Sequence, residues 1–117
     1  MSNHHRINYV ELPAADLDAA QRFYEAAFGW TFVDYGPEYR AFNDGALDGG
    51  FYRAPLQSRS EGGAALVVLY SSDLEASLET VLAAGATLVK EIFSFPGGRR
   101  FQFADPNGNE LAIWTDR

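Results

Sequence analysis

Two stretches of this chain, ADLDAAQRFYEAAFGWTFV (residues 15–33) and SDLEASLETVLAAGATLV (residues 72–89), repeat one pattern. Asp16 aligns with Asp73, Leu17 with Leu74 and Ala19 with Ala76. Ala26 and Ala27 align with Ala83 and Ala84. One deletion then brings Gly29 onto Gly85, Thr31 onto Thr87 and Val33 onto Val89. Further along, Phe42 and Asp44 correspond to Phe103 and Asp105. An ordered match at one offset marks a duplicated unit.

Each copy reads as the same succession of elements. INYVEL (residues 7–12) and ALVVLY (residues 65–70) are strands, and a helix follows each. Asp16 and Asp73 suit the N-cap, where a carboxylate accepts from free amides at the helix start. Leu17, Ala20, Tyr24, Ala27 and Phe28 make an apolar stripe at helical spacing, and Leu74, Leu78, Val81 and Leu82 make its counterpart. Gly29 and Gly85 end the helices. Three shorter strands complete each unit, giving βαβββ twice. DPNGN (residues 105–109) is the turn between the last two strands of the second copy. Phe23, Tyr24, Phe28 and Trp30 read as core or interface.

The composition narrows the function. With 117 residues, the chain has the size of one domain, and 47% hydrophobic residues suffice for a core. Nine basic residues against sixteen acidic ones give a net charge of −7. That balance opposes a nucleic-acid partner and a polybasic membrane surface. No apolar run reaches the ~20 residues that span a bilayer, and no signal-peptide pattern opens the chain. Without cysteine there is no disulfide, thiolate metal site or thiol nucleophile, and a cytoplasmic protein is the simplest expectation. No dinucleotide fingerprint, phosphate loop or nucleophile elbow is present.

The two βαβββ units resemble the vicinal oxygen chelate superfamily, the glyoxalase, bleomycin-resistance and extradiol-dioxygenase fold. The resemblance rests on LPAADLDAAQRFYEAAFGW, GGFYRAP, SDLEASLETVLAAGATLV and GGRRFQFADPNGNELAIW, and covers nearly the whole chain. It is strongest to bacterial glyoxalase-like proteins of about this size. It implies an α+β fold, two tandem βαβββ modules forming a curved mixed sheet around a cleft. Module one would span about 5–54, a polar linker about 55–63, and module two about 64–117. A homodimer is implied as well.

Metal-dependent members of that superfamily place a His on the first strand of each unit and a Glu or similar on the last. Counting seven residues before Asp16 and Asp73 gives Tyr9 and Leu66. Counting seven after Asp44 and Asp105 gives Phe51 and Ala112. Leu66, Phe51 and Ala112 have no donor atom, so no metal and no cofactor are expected.

Alternation along the strands then assigns a cleft wall of Tyr9 with Glu11, Phe51 with Arg53, Leu66 with Val68 and Tyr70, and Ala112 with Trp114. Val10, Leu12, Val67, Leu69, Leu111 and Ile113 are expected beneath the helices. An aromatic wall with few polar groups suits a small-molecule ligand. Two roles are open to Arg53: pairing with an anionic or carbonyl group, or neutralising Glu11. Glu110 lies two residues before Ala112, so it shares that face but is displaced by roughly 6–7 Å. Glu11, Glu110 and Tyr9 are the acid–base candidates, and solvated rim positions are the alternative for the two carboxylates. His4 and His5 read as solvated, and Arg99 and Arg100 as a loop contact or ion-pair group. Three functions stay open: a metal-free small-molecule binder, a lyase or isomerase using acid–base groups or a shifted metal site, and a structural dimer whose cleft is filled by its own aromatics.

Overall fold

The structure, a computed structural model, describes residues 3–117. The chain divides into two compact units, the first ending at Leu56 and the second running from Gln57 to Arg117. In the first, β1 (Tyr9–Ala14) leads to α1 (Leu17–Phe28), then β2 (Thr31–Asp34), β3 (Tyr39–Asn43) and β4 (Asp48–Arg53). In the second, β5 (Val67–Tyr70) leads to α2 (Leu74–Ala83), then β6 (Thr87–Phe95), β7 (Gly98–Ala104) and β8 (Glu110–Thr115). The βαβββ pattern read from the repeat is therefore present twice. The mixed sheet is made as two four-stranded sheets, one per unit, ordered β1-β4-β3-β2 and β5-β8-β7-β6. In each, the first strand runs parallel to the last and the other pairs are antiparallel.

The helix ends follow local chemistry. Asp16 accepts from the amide of Ala19 at 3.0 Å, and Asp73 from that of Ala76 at 3.2 Å. Gly29 closes α1 in the left-handed conformation at φ 71°, a region that costs side chains dearly.

Each helix buries its stripe against its own sheet. In the first unit Tyr24 of α1 packs with Trp30 and Phe51, and Phe23, Tyr24, Trp30, Phe42 and Phe51 are all nearly inaccessible. Tyr24 stacks on Trp30 with ring centroids 4.7 Å apart, and Trp30 stacks on Phe42 at the same distance. Phe42 needs a bare backbone opposite it: a Cβ on Gly49 would lie 2.2 Å from its ring. In the second unit Leu74 and Val81 are buried, as are Phe101, Phe103, Leu111 and Ile113. Leu12 is buried as expected, while Val10, Val67 and Leu69 are half-buried.

Two expectations need correction. Phe51 does not face the open side of its sheet. It is fully buried, 5.3 Å from Tyr24 of α1 and 5.5 Å from Phe42. Arg53, two residues on, shares that helix-side parity. The register gives the reason: Glu11 pairs with Gly50, while Leu12 pairs with Phe51 and Ala14 with Arg53. Secondly, most of the polar stretch expected to be a linker belongs to the second unit. Ser58 donates its amide to Asn109 Oδ1 at 2.8 Å, and its carbonyl accepts from the amide of Glu110 at 2.8 Å.

Candidate functional site

The face of the first sheet opposite α1 carries Tyr9 and Glu11 on β1, and Asp48, Gly50 and Tyr52 on β4. Tyr39, Ala41 and Asn43 of β3 and Thr31 and Val33 of β2 complete it, as the register requires. It forms a hollow of about 540 Å³, bordered by Tyr9, Val33, Tyr35, Tyr39, Asn43 and Asp48 among others. Tyr35 and Tyr39 meet at a corner, with ring centroids 6.5 Å apart and planes at 54°.

A hydrogen-bond chain crosses this face. Tyr39 donates its hydroxyl to Glu11 Oε2 at 2.8 Å, and the hydroxyls of Tyr9 and Tyr39 are 2.6 Å apart. Because Tyr39 gives its proton to Glu11, Tyr9 is the donor to Tyr39. The Tyr39 side chain reaches β1 by lying across β4, and only glycine permits this: a Cβ on Gly50 would sit 2.0 Å from the Tyr39 hydroxyl oxygen. Burial and the bonds to Tyr9 and Glu11 raise the Tyr39 phenol well above its ordinary range, so it remains a proton donor. Asp48 accepts from the Asn43 amide at 2.8 Å.

The corresponding face of the second sheet holds other residues expected at the site. Val68 and Tyr70 pair with Ala112 and Trp114. Leu66 lies just before β5 and is half-buried. Tyr70 and Trp114 meet edge to face at 5.4 Å. Glu110 is on this face, and the rim reading fails for it because it is 6% exposed. Its Oε1 accepts from the Ser60 amide at 2.9 Å and the Ser60 hydroxyl at 2.7 Å, and Oε2 accepts from Gln102 Nε2 at 2.6 Å. Burial pushes the Glu110 carboxyl up, but the donors from Ser60 and Gln102 outweigh it and hold the group below the usual carboxylate range. Glu110 is thus an anchor that ties residues 58–60 to β8.

The residues at the superfamily's metal positions do not fit a divalent ion. Leu66 and Ala112 offer only carbon, Gly50, which the register puts in the place counted to Phe51, has no side chain, and the Tyr9 hydroxyl is engaged with Tyr39. Among the described residues no three His, Cys, Asp or Glu side chains converge. Sequence reasoning missed Tyr35, Tyr39, Asn43 and Asp48. The alternation Tyr39-Ala41-Asn43 against Arg40-Phe42 was the available signal, masked by the buried arginine. Arg40 is held by Asp18 and Gln21 of α1.

The sequence model of the family described as Glyoxalase/Bleomycin resistance protein/Dioxygenase superfamily matches residues 6–113. A glyoxylase-like domain-containing protein of Didymella fabae is 29% identical over 123 residues, covering 96% of this chain and 94% of its own. A glyoxalase/bleomycin resistance protein/dioxygenase family enzyme from Burkholderia phytofirmans PsJN superposes with a TM-score of 0.77 at 20% identity, over 94% of this chain and 98% of that one. A lactoylglutathione lyase from Agrobacterium tumefaciens gives 0.74 at 21% identity, over 97% and 96%. At such identities the superpositions speak for the fold alone.

Proposed function

Because this chain belongs to the glyoxalase/bleomycin resistance protein/dioxygenase superfamily, we propose that it holds a small organic molecule in the tyrosine-walled hollow of its first module, without the superfamily's metal centre. The observation that carries this reading is the hollow itself. Its volume of about 540 Å³ falls within the range of small-ligand pockets, and aromatic walls with a few polar groups are their usual lining. An aromatic compound bearing a carbonyl or hydroxyl fits: the rings of Tyr35 and Tyr39 take the flat body, and Asn43 and Asp48 take polar substituents. A thermal-shift screen of small aromatic and carbonyl compounds tests it. Hits should stabilise the wild type and lose that effect in Tyr35→Ala, which removes a wall at an exposed position. Hits that stabilise the variant equally would refute the assignment.

A second reading, a lyase or isomerase of the same superfamily, is favoured by the chain from Tyr9 through Tyr39 to Glu11. A carboxylate at the end of two phenols can take a proton from a bound carbonyl compound while a phenol supplies one. Incubating a carbonyl hit in deuterated buffer should then place deuterium next to the carbonyl, and Glu11→Gln should abolish it. No exchange in the wild type would leave the binding function alone. We further infer a homodimer working in the cytoplasm, supported by the family resemblance and the absence of cysteine. Among the described residues no helix is long and apolar enough to cross a membrane.

A further inference from the structure

We propose that the second module carries a site for an oxyanion, the carboxylate of a small organic acid with a flat apolar body, gripped by Lys90 and Arg100. A row of rings runs along the sheet face of this module. Tyr70 meets Trp114 at 5.4 Å, Trp114 meets Phe95 at 6.4 Å, and Phe95 meets Phe93 at 6.4 Å. The row ends between two cations: Lys90 Nζ and Arg100 Cζ lie 5.0 and 5.3 Å from the Phe93 ring centroid.

Local backbone geometry makes this meeting possible. Lys90 and Phe93 are three residues apart, so in a regular strand they would point to opposite faces. The ladder between β6 and β7 shifts register between them, with Lys90 opposite Gln102 and Phe93 opposite Arg100. This bulge returns Phe93 to the face of Lys90, and bulges commonly re-aim side chains beside functional sites.

The two cations also lack the partner that such charges normally have. Among the described residues neither Lys90 nor Arg100 forms an ion pair, whereas neighbouring Arg99 is bonded through two nitrogens to Glu75. Both cations lie close to one ring, and an oxyanion bound beside Phe93 offsets their charge.

Arg100 is nevertheless held in place. Its Nη2 donates to Gln102 Oε1 at 3.1 Å, while Gln102 Nε2 donates to Glu110. A carboxylate only accepts, so Glu110 obliges Gln102 to turn its amide nitrogen inward and its oxygen toward the arginine. The buried acid thereby orients the guanidinium through a neutral amide without sitting on it. Nε is buried without an acceptor, and the donors that Gln102 does not engage remain for a carboxylate contact.

The proposal rests on residues of the second module alone. NMR titration of the full ¹⁵N-labelled chain with benzoate, benzamide and inorganic phosphate tests it. The indole N–H of Trp114 reports on the site, and that of Trp30, buried in the first module, serves as the internal control. Benzoate should shift the Trp114 signal with an affinity roughly tenfold above benzamide, the difference of about one charge-assisted hydrogen bond. Lys90→Gln, at an exposed position, and Arg100→Gln should each weaken benzoate severalfold. Equal binding of benzamide, or unchanged benzoate affinity in both variants, would overturn the proposal. Phosphate binding as tightly as benzoate would overturn the part assigned to the aromatic row.

Discussion

Gly50 and Glu110 show how single residues decide what this protein can do. Gly50 is bare so that the Tyr39 hydroxyl can pass over it, with an added Cβ only 2.0 Å away. Gly50→Ala should therefore expel Tyr39 from its bond with Glu11 and cost about 1–3 kcal/mol in denaturant unfolding. It should also abolish ligand stabilisation. Full stability and full ligand response in this variant would show that Tyr39 has room elsewhere. Glu110 makes stability depend on pH. Its folded carboxyl lies below the ordinary value of 4.5, so the contribution is complete above about pH 4.5 and disappears as pH falls through the folded value. Glu110→Gln should be less stable at neutral pH, by about 2–3 kcal/mol for a buried charged acceptor, and should show a flatter loss on acidification. The Tyr39 phenol acts in the opposite direction. Its raised folded value means that its contribution is present below about pH 10 and lost above it. An absorbance titration should find one tyrosine that resists ionisation until the chain unfolds, and Tyr39→Phe should remove that resistant phase.

At the level of elements, the two N-caps are matched devices. Asp16→Ala and Asp73→Ala should each cost about 1 kcal/mol by chemical denaturation, because each leaves a helix-start amide unpaired. These caps, the left-handed Gly29 and the βαβββ order were legible in the sequence because they are written within a few residues. The facing of β4 was not. Residues 44–47 join β3 to β4, whereas residues 105–109 join β7 to β8, one residue more. Counting seven from the equivalent aspartates therefore lands one position apart in the two ladders. The residue beside Glu11 is Gly50, and the residue beside Val68 is Ala112. A slip of one turns every side chain of a strand over, which is how Phe51 and Arg53 were assigned to the wrong face. The pair Gly49-Gly50 carries no polarity that would have revealed it. The same shift hid Asp48. Glu110 was misread for a different reason: its partners Ser58 and Ser60 are distant in sequence, and alternation is blind to such bonds.

For the molecule as a whole, duplication supplied one scaffold twice, and the two copies now carry different chemistry. The first sheet presents tyrosines with Glu11 and Asp48. The second presents Tyr70, Trp114, Phe95 and Phe93 with Lys90 and Arg100. Light scattering on the eluted protein should give twice the 12.9 kDa chain mass; a monomer at micromolar concentration would contradict the proposed homodimer. The most direct measurement of the central claim is an NMR titration with the strongest neutral compound from the thermal-shift screen. Binding in the first module predicts that the amide signals of Tyr9, Val33, Tyr35, Tyr39 and Asn43 move together and saturate together. Signals that stay fixed there while others move would contradict it.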